Sequence, residues 1–264
     1  MAAGTNTSST KTTAPACWKK WAALRSELSI PGYWNSLTEN CAQWASEVGV
    51  CGFWKDVEKH RKAWSNEFHQ KTGGSLLAQD QLPQFCGKQW ERIQTKIEQF
   101  TTGKGANNPK EYWPAEGPPV PRLNDLVRTR VVCQFLDGVE FMGNKLQELA
   151  TEMGLRVTRE RQGRLEGYFA QHLYFDHEVL FRFGGSPQQV TIKCEVQIAT
   201  LLATRLWYES HGVYEEWRGQ EETQEEWQWD PSDSRFIARQ LGHMIHLADG
   251  LLVGLRDARS GERM

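Results

Sequence analysis

The sequence predicts an α+β chain in which a tryptophan-rich helical half precedes a half where strands and helices alternate. Two strand-like segments carry most of that prediction. Over residues 190–198 polar and apolar side chains alternate with period two, so Lys193, Glu195 and Gln197 project from one face and the apolar set from the other. The same parity over residues 168–175 separates Tyr168, His172 and Tyr174 from Phe169, Leu173 and Phe175. A third observation is the helical spacing of Val139, Met142, Leu146, Leu149 and Met153, which marks the apolar face of an amphipathic helix. On pattern alone, a solvent-facing sheet surface accounts for the polar sets, since half-exposed strands ordinarily alternate.

Taken in order, residues 1–16 are mostly Ser, Thr, Ala and Gly, with too few bulky apolar groups to offset the entropy of ordering, so a disordered tail is expected. Residues 17–105 read as the helical region. Within it Gly32-Tyr33-Trp34 and Gly52-Phe53-Trp54 each precede a second tryptophan by ten residues, Trp44 and Trp64. That spacing fits a short duplicated unit broken between Gly49 and Gly52, or more simply one aromatic helical layer. Stacking of these rings on nucleic-acid bases would need interleaved Arg and Lys, of which the stretch has too few.

A connector rich in Gly, Pro and Asn spans residues 103–121 and leads into the alternating region, 106–218. Strands are expected at 131–135 and 156–161, besides those around His172 and Glu195, and a helix at 200–214. Residues 215–226 hold six glutamates and read as a solvated, self-repelling loop. In the last segment, 219–264, Ser232 after Asp230-Pro231 is the expected N-cap of a helix with Ile237, Leu241, Met244, Ala248 and Leu251 on its core face. His243 and His246 read as a surface pair on that helix.

Thirty-one basic and thirty-three acidic side chains give a net charge of -2, so any polyanion must be met by a local cluster. Six cysteines (Cys17, Cys41, Cys51, Cys86, Cys133, Cys194) form no C-x-x-C pair, and no apolar signal segment precedes them. A reduced, cytoplasmic protein with buried thiols and no zinc site is the simplest expectation. No apolar run approaches the roughly 20 residues of a membrane-spanning helix, so no membrane partner is expected.

Two carboxylates on separate elements, Asp125 before a strand and Glu195 within one, suit Mg²⁺, which takes oxygen ligands and leaves positions for phosphates. Arg128 and Arg130 follow the aspartate and offer countercharge. A plain structural role, Asp125 as a turn or cap residue with exposed arginines beside it, fits the same residues.

These segments resemble the RelA/SpoT-type alarmone synthetases. Asp125-Leu126-Val127-Arg128-Thr129-Arg130 looks like the family's aspartate segment running into a strand, Gly167-Tyr168-Phe169-Ala170-Gln171-His172 is similar to its Gly-Tyr-x-x-x-His strand, and Glu195-Val196-Gln197-Ile198 to its Glu-x-Gln-Ile strand. Trp207 and His211 follow on a helix, as the family's tryptophan and histidine do. The resemblance covers about residues 88–214. It implies a mixed sheet flanked by helices, of the nucleotidyltransferase-like kind, and transfer of the β,γ-diphosphate of ATP to a ribose 3′-hydroxyl. It also implies that Asp125 and Glu195 hold Mg²⁺ with Glu195 accepting the hydroxyl proton, that Tyr168 stacks on the acceptor base, and that His172, Lys193, Gln197 and His211 line the acceptor pocket.

The family's ATP stretch is matched by Lys88 and Lys96, with Cys86 where arginine is usual and Arg92 in place of serine. Arg128 stands where glycine is frequent, Phe169 where a cation is usual, and Ala199 where arginine normally follows. Each charge-assisted phosphate contact is worth about 1.5–3 kcal/mol, so two or three lost cations need replacement, for which Arg92 and Arg128 are candidates beside Arg130. The resemblance therefore implies a single-activity pyrophosphokinase using ATP and a guanosine or adenosine nucleotide. Toxic relatives imply two further features: the tRNA 3′ end as an acceptor, met by Lys19, Lys20, Lys55, Lys59, Arg61 and Lys62, and an antitoxin partner. A homo-oligomer is a further expectation, and a non-catalytic nucleotide sensor is the alternative of another class.

Overall fold

The computed structural model describes residues 33–89, 92–93, 123–163, 167–182, 187–217 and 225–261. The expected tail, the 103–121 connector, Lys19, Lys20, Lys96 and the side chains of Trp34 and His211 lie outside the described residues.

The helical half begins with α1 (Tyr33–Gly49) and α2 (Gly52–Thr72), broken between the two glycines as the sequence suggests. Trp44, Trp54 and Trp64 are buried, and the Trp44 indole N–H donates to the Leu180 carbonyl at 3.0 Å, so the tryptophans form an aromatic packing layer. Helix α2 stops at Gly73, whose left-handed φ of 70° lets its N–H reach the His69 carbonyl.

Five strands follow: β1 (Cys86–Gly87), β2 (Val127–Cys133), β3 (Val157–Gly163), β4 (Phe169–Phe181) and β5 (Gln188–Thr200). They pair in the order β1-β2-β5-β4-β3, with β2 and β5 parallel and every other pair antiparallel, a mixed sheet. The first long strand starts at Val127 rather than at 131. Its period is concealed because Thr129 sits on the apolar face, where it is buried and its hydroxyl donates to the Gln84 carbonyl. The strand Cys86–Gly87 falls inside residues 17–105, which the sequence reads as helical. A Cβ on Gly87 would lie 2.6 Å from the Cys41 carbonyl, so only glycine lets α1 pack this close to the sheet edge.

Helices α1, α2 and α3 (Leu136–Glu152) cover one face of the sheet. Phe175 of β4 lies 4.9 Å from Phe53 and 6.3 Å from Phe85 between ring centroids, and α3 buries Val139, Met142, Leu146 and Leu149. Met153, expected on that face, is the exposed C-cap residue.

Helices α4 (Leu201–Trp217) and α5 (Ser234–Gly261) lie elsewhere. Of the stretch expected as an acidic loop, Glu215 and Glu216 belong to α4, Glu225 and Glu226 open a 3₁₀ turn (Glu225–Trp229), and residues 218–224 lie outside the described residues. Asp233, not Ser232, caps α5: its carboxylate accepts the Arg235 N–H at 2.7 Å, while the Ser232 N–H is bonded to Asp230. The face of α5 turned to the protein also differs from expectation. His246 stacks on Phe169 at 3.8 Å, Thr200 donates to Asp249, and Arg256 bonds Asp137 at 2.7 Å, whereas Met244 and Leu251 are 64% and 61% exposed. Polar groups with partners occupy the inner face, so a hydrophobic reading selects the outer one. Gly167, at φ 84°, meets this helix closely; a Cβ there would lie 2.6 Å from the Arg239 carbonyl. Helix α5 thus closes the end of the sheet where β5 finishes and β4 begins.

Candidate active site

Pairing places the alternating polar residues of three strands on the sheet face opposite α3. Arg128 stands across from Glu195, Arg130 and His172 from Gln197, Tyr174 from Glu195, and Asp176 from Lys193. The face is not an ordinary solvated surface: Glu195 is 4% exposed and Tyr174 9%, with Gln197 and His172 also buried. A buried carboxylate is tolerable only with close partners. Gln197 supplies one, its amide N–H donating to Glu195 Oε1, while its own carbonyl accepts two bonds from Arg130, at 3.0 Å and 2.7 Å. Arg130 in turn lies 5.8 Å and 5.9 Å from the ring centroids of Trp207 and Tyr208 on α4.

A second chain of contacts reaches Glu195 from β4. The Tyr168 hydroxyl is 3.0 Å from His172 Nε2, the Tyr174 hydroxyl 3.2 Å from His172 Nδ1, and His172 Nδ1 3.8 Å from Glu195 Oε2. Tyr174 stands opposite Glu195 in the strand register. Burial above all, with the charge of Glu195 next, pushes the Tyr174 phenol far up, so it stays neutral. Trp207 packs against the Tyr168 ring at 4.7 Å.

Asp125 sits in the turn before β2 at φ 66°, the left-handed region that aspartate enters more readily than most residues. Its carboxylate pairs with the buried Lys88 Nζ at 2.7 Å, and the Lys88 N–H donates to the Leu126 carbonyl at 2.8 Å. The turn role that the sequence allows for Asp125 is thus the one it takes. Arg128 and Lys193 are half-buried on the polar face, and Arg92 follows Lys88 beside the buried Ile93.

Burial above all, then the charges of Glu195, Glu160 and, last, Asp125, raise the Tyr174 phenol. Among the described residues no cluster of three or more His, Cys, Asp or Glu is built for a metal. A donor set of two carboxylate oxygens fits Mg²⁺, which commonly binds one or two protein carboxylates and completes its shell with water and phosphate.

Tyr174 and Tyr208 are the residues that sequence reasoning left without a role. Parity already set Tyr174 on the polar face, but its place opposite Glu195 depends on the antiparallel register, which the sequence does not reveal. Among the described cysteines, Cys41, Cys133 and Cys194 are buried, and burial pushes the Cys41 thiol up to about 12; Cys86 departs from the expectation by being exposed. No helix among the described residues is long and apolar enough to cross a membrane.

No protein-family model and no curated protein sequence matches the chain. Solved structures do. A GTP pyrophosphokinase family protein from Streptococcus pneumoniae superposes with a TM-score of 0.55 at 16% identity, covering 88% of this chain and 97% of that one. The small alarmone synthetase 1 from Bacillus subtilis superposes with a TM-score of 0.50 at 12% identity, covering 92% and 98%. The chain therefore has the fold of the GTP pyrophosphokinase and small alarmone synthetase structures.

Proposed function

We propose that the protein is an ATP-dependent 3′-pyrophosphokinase making a (p)ppGpp-type alarmone. The observation that carries this reading is the buried carboxylate of Glu195, bonded by Gln197 and opposite Tyr174 on a face that also bears Arg128, Arg130, Lys193 and His172. A structural sheet face has no evident use for this set. In the reaction the acceptor 3′-oxygen bonds to the β-phosphorus of ATP, the bond from that phosphorus to the α-phosphate bridge breaks, and AMP leaves with the electron pair. Glu195 accepts the hydroxyl proton.

Such transfer depends mainly on alignment and on neutralising phosphate charge. Asp125 and Glu195 would hold Mg²⁺, which supplies part of that neutralisation. Lys88, Arg92, Lys96 and Arg128 serve ATP, and Arg130 orders Gln197 as well as adding charge. Tyr168, steadied by Trp207, offers its ring to the acceptor base; His172, Lys193, Gln197 and His211 line that side.

The Lys88–Asp125 ion pair favours one other reading, a nucleotide-binding module without turnover, because it ties up a cation and a carboxylate that the reaction needs. Transfer of terminal-phosphate label from ATP with Mg²⁺ to GDP, GTP, ADP, ATP or tRNA separates the two. Labelled acceptor from the wild type alone, and not from Glu195→Gln, supports the enzyme and identifies its substrate. Nucleotide binding with no labelled acceptor supports the module.

A further inference from the structure

We propose that the outer face of α5 is a docking surface for a second copy of this chain, the two α5 helices pairing along one apolar seam. The proposal goes beyond the pyrophosphokinase reading and uses only the fold. Ile237, Leu241, Met244, Ala248, Leu251 and Leu255 follow one another at steps of four, three, four, three and four residues. That is a strict repeat of 3.5, the spacing that keeps a seam turned toward another helix along its length. All but Ala248 are 41% to 64% exposed, as are Leu247 and Leu252 beside them. Helix α5 cannot turn this face inward, because its other side is fixed by His246 on Phe169, Asp249 on Thr200 and Arg256 on Asp137.

Area, charge and spacing each favour a second copy as the occupant. The seven large apolar side chains of this face present on the order of 700 Å², more than the about 300–600 Å² of a typical monomer's largest patch and near the roughly 800 Å² that each partner gives a standard interface. In a two-fold pair the same patch meets itself, so a charge on it would oppose its own copy. Between Ile237 and Leu255 no charged residue of the helix is exposed. The spacing is self-complementary as well, because side chains at steps of four and three fit between those of an identical helix. A lipid surface is met by cations around an apolar face. Here Arg235 and Arg239 lie over the Trp227 ring and Arg256 is bonded to Asp137, so the helix's cations are engaged within the chain.

The test is the mass of the full chain in solution, by sedimentation velocity over roughly 1 to 100 μM, a range that covers the weaker affinities of interfaces this size. The wild type is expected at twice the mass of one chain. Leu251→Lys is expected at the mass of one chain, its self-association weakened at least about hundredfold because each pair would bury two lysines. In the separate chain Leu251 is mostly exposed, so diluted Leu251→Lys should unfold at the midpoint of the diluted wild type. Met244→Lys, on the same seam, should act alike and keeps the test open if one variant misfolds. A wild type that holds the mass of one chain throughout overturns the proposal, as does a doubled mass that survives both substitutions. Binding of a single-chain wild type to vesicles of phosphatidylcholine and phosphatidylserine, lost in Leu251→Lys, would assign the face to lipid and overturn it too. Failure of diphosphate transfer leaves these masses untouched, so the two readings fail separately.

Discussion

The two faces of the central sheet are both buried at their centres and chemically unlike. Beneath α1 to α3, Phe175, Leu173, Val196 and Ile198 are buried by other apolar groups, and their contribution is area removed from water. On the opposite face Glu195, Gln197, His172 and Tyr174 are buried to a similar degree but are held by directed bonds to one another and to Arg130. Burial alone therefore does not separate core from site. What separates them is how each face fails: loss of an apolar group leaves a cavity, whereas loss of one polar group strands its partners.

The largest expected effect breaks the apolar face. Phe175→Ala removes the ring between Phe53 and Phe85 and should lower stability by about 3–5 kcal/mol in denaturant titration. Next comes the polar face. Gln197→Ala leaves both Arg130 and Glu195 without their shared partner and should cost about 1–3 kcal/mol, together with a loss of any transfer activity. A loss of activity without any change in unfolding midpoint would show that the network does not support the fold.

The end of the sheet sharpens the comparison through pH. Burial pushes the Asp249 carboxyl above its usual range, against the opposing effects of Thr200 and His246. The folded state then binds the proton more tightly than the unfolded one, so stability falls as pH rises from the ordinary carboxylate range through the raised value. Asp249→Asn should remove that decline and be at least as stable as wild type at neutral pH, read from unfolding midpoints across the range. The smallest effect belongs to the outer face of α5, where Leu251→Lys should change stability by no more than about 0.5 kcal/mol because its side chain is mostly exposed.

Much of the polar face was legible in the sequence because parity is a local property. Lys193, Glu195 and Gln197 alternate along one strand, and Tyr168, His172 and Tyr174 along another, so each set was assignable to one face. Which set meets which depends on register, and the pairing of Tyr174 with Glu195 comes from a contact between strands joined across residues 182–187. The beginning of β2 was hidden for a similar reason: Thr129 looks polar, and its partner Gln84 is distant in sequence. Helix α5 misled in the other direction. Its leucines recur at helical spacing, but the inner face is chosen by Phe169, Thr200 and Asp137, which offer partners to His246, Asp249 and Arg256. The expected ATP stretch was legible as far as Lys88, whose pairing with Asp125 is tertiary.

The most direct test of the central claim, that one face is chemical and the other structural, is to measure Mg²⁺-dependent diphosphate transfer and unfolding midpoint together on Glu195→Gln. The isosteric amide keeps the shape and an oxygen that accepts the Gln197 N–H, so the midpoint should stay near the wild-type value while transfer falls by about 10²–10⁴-fold. Transfer at the wild-type rate, or a fall in transfer matched by loss of folded protein, would contradict the assignment of this face to the chemistry.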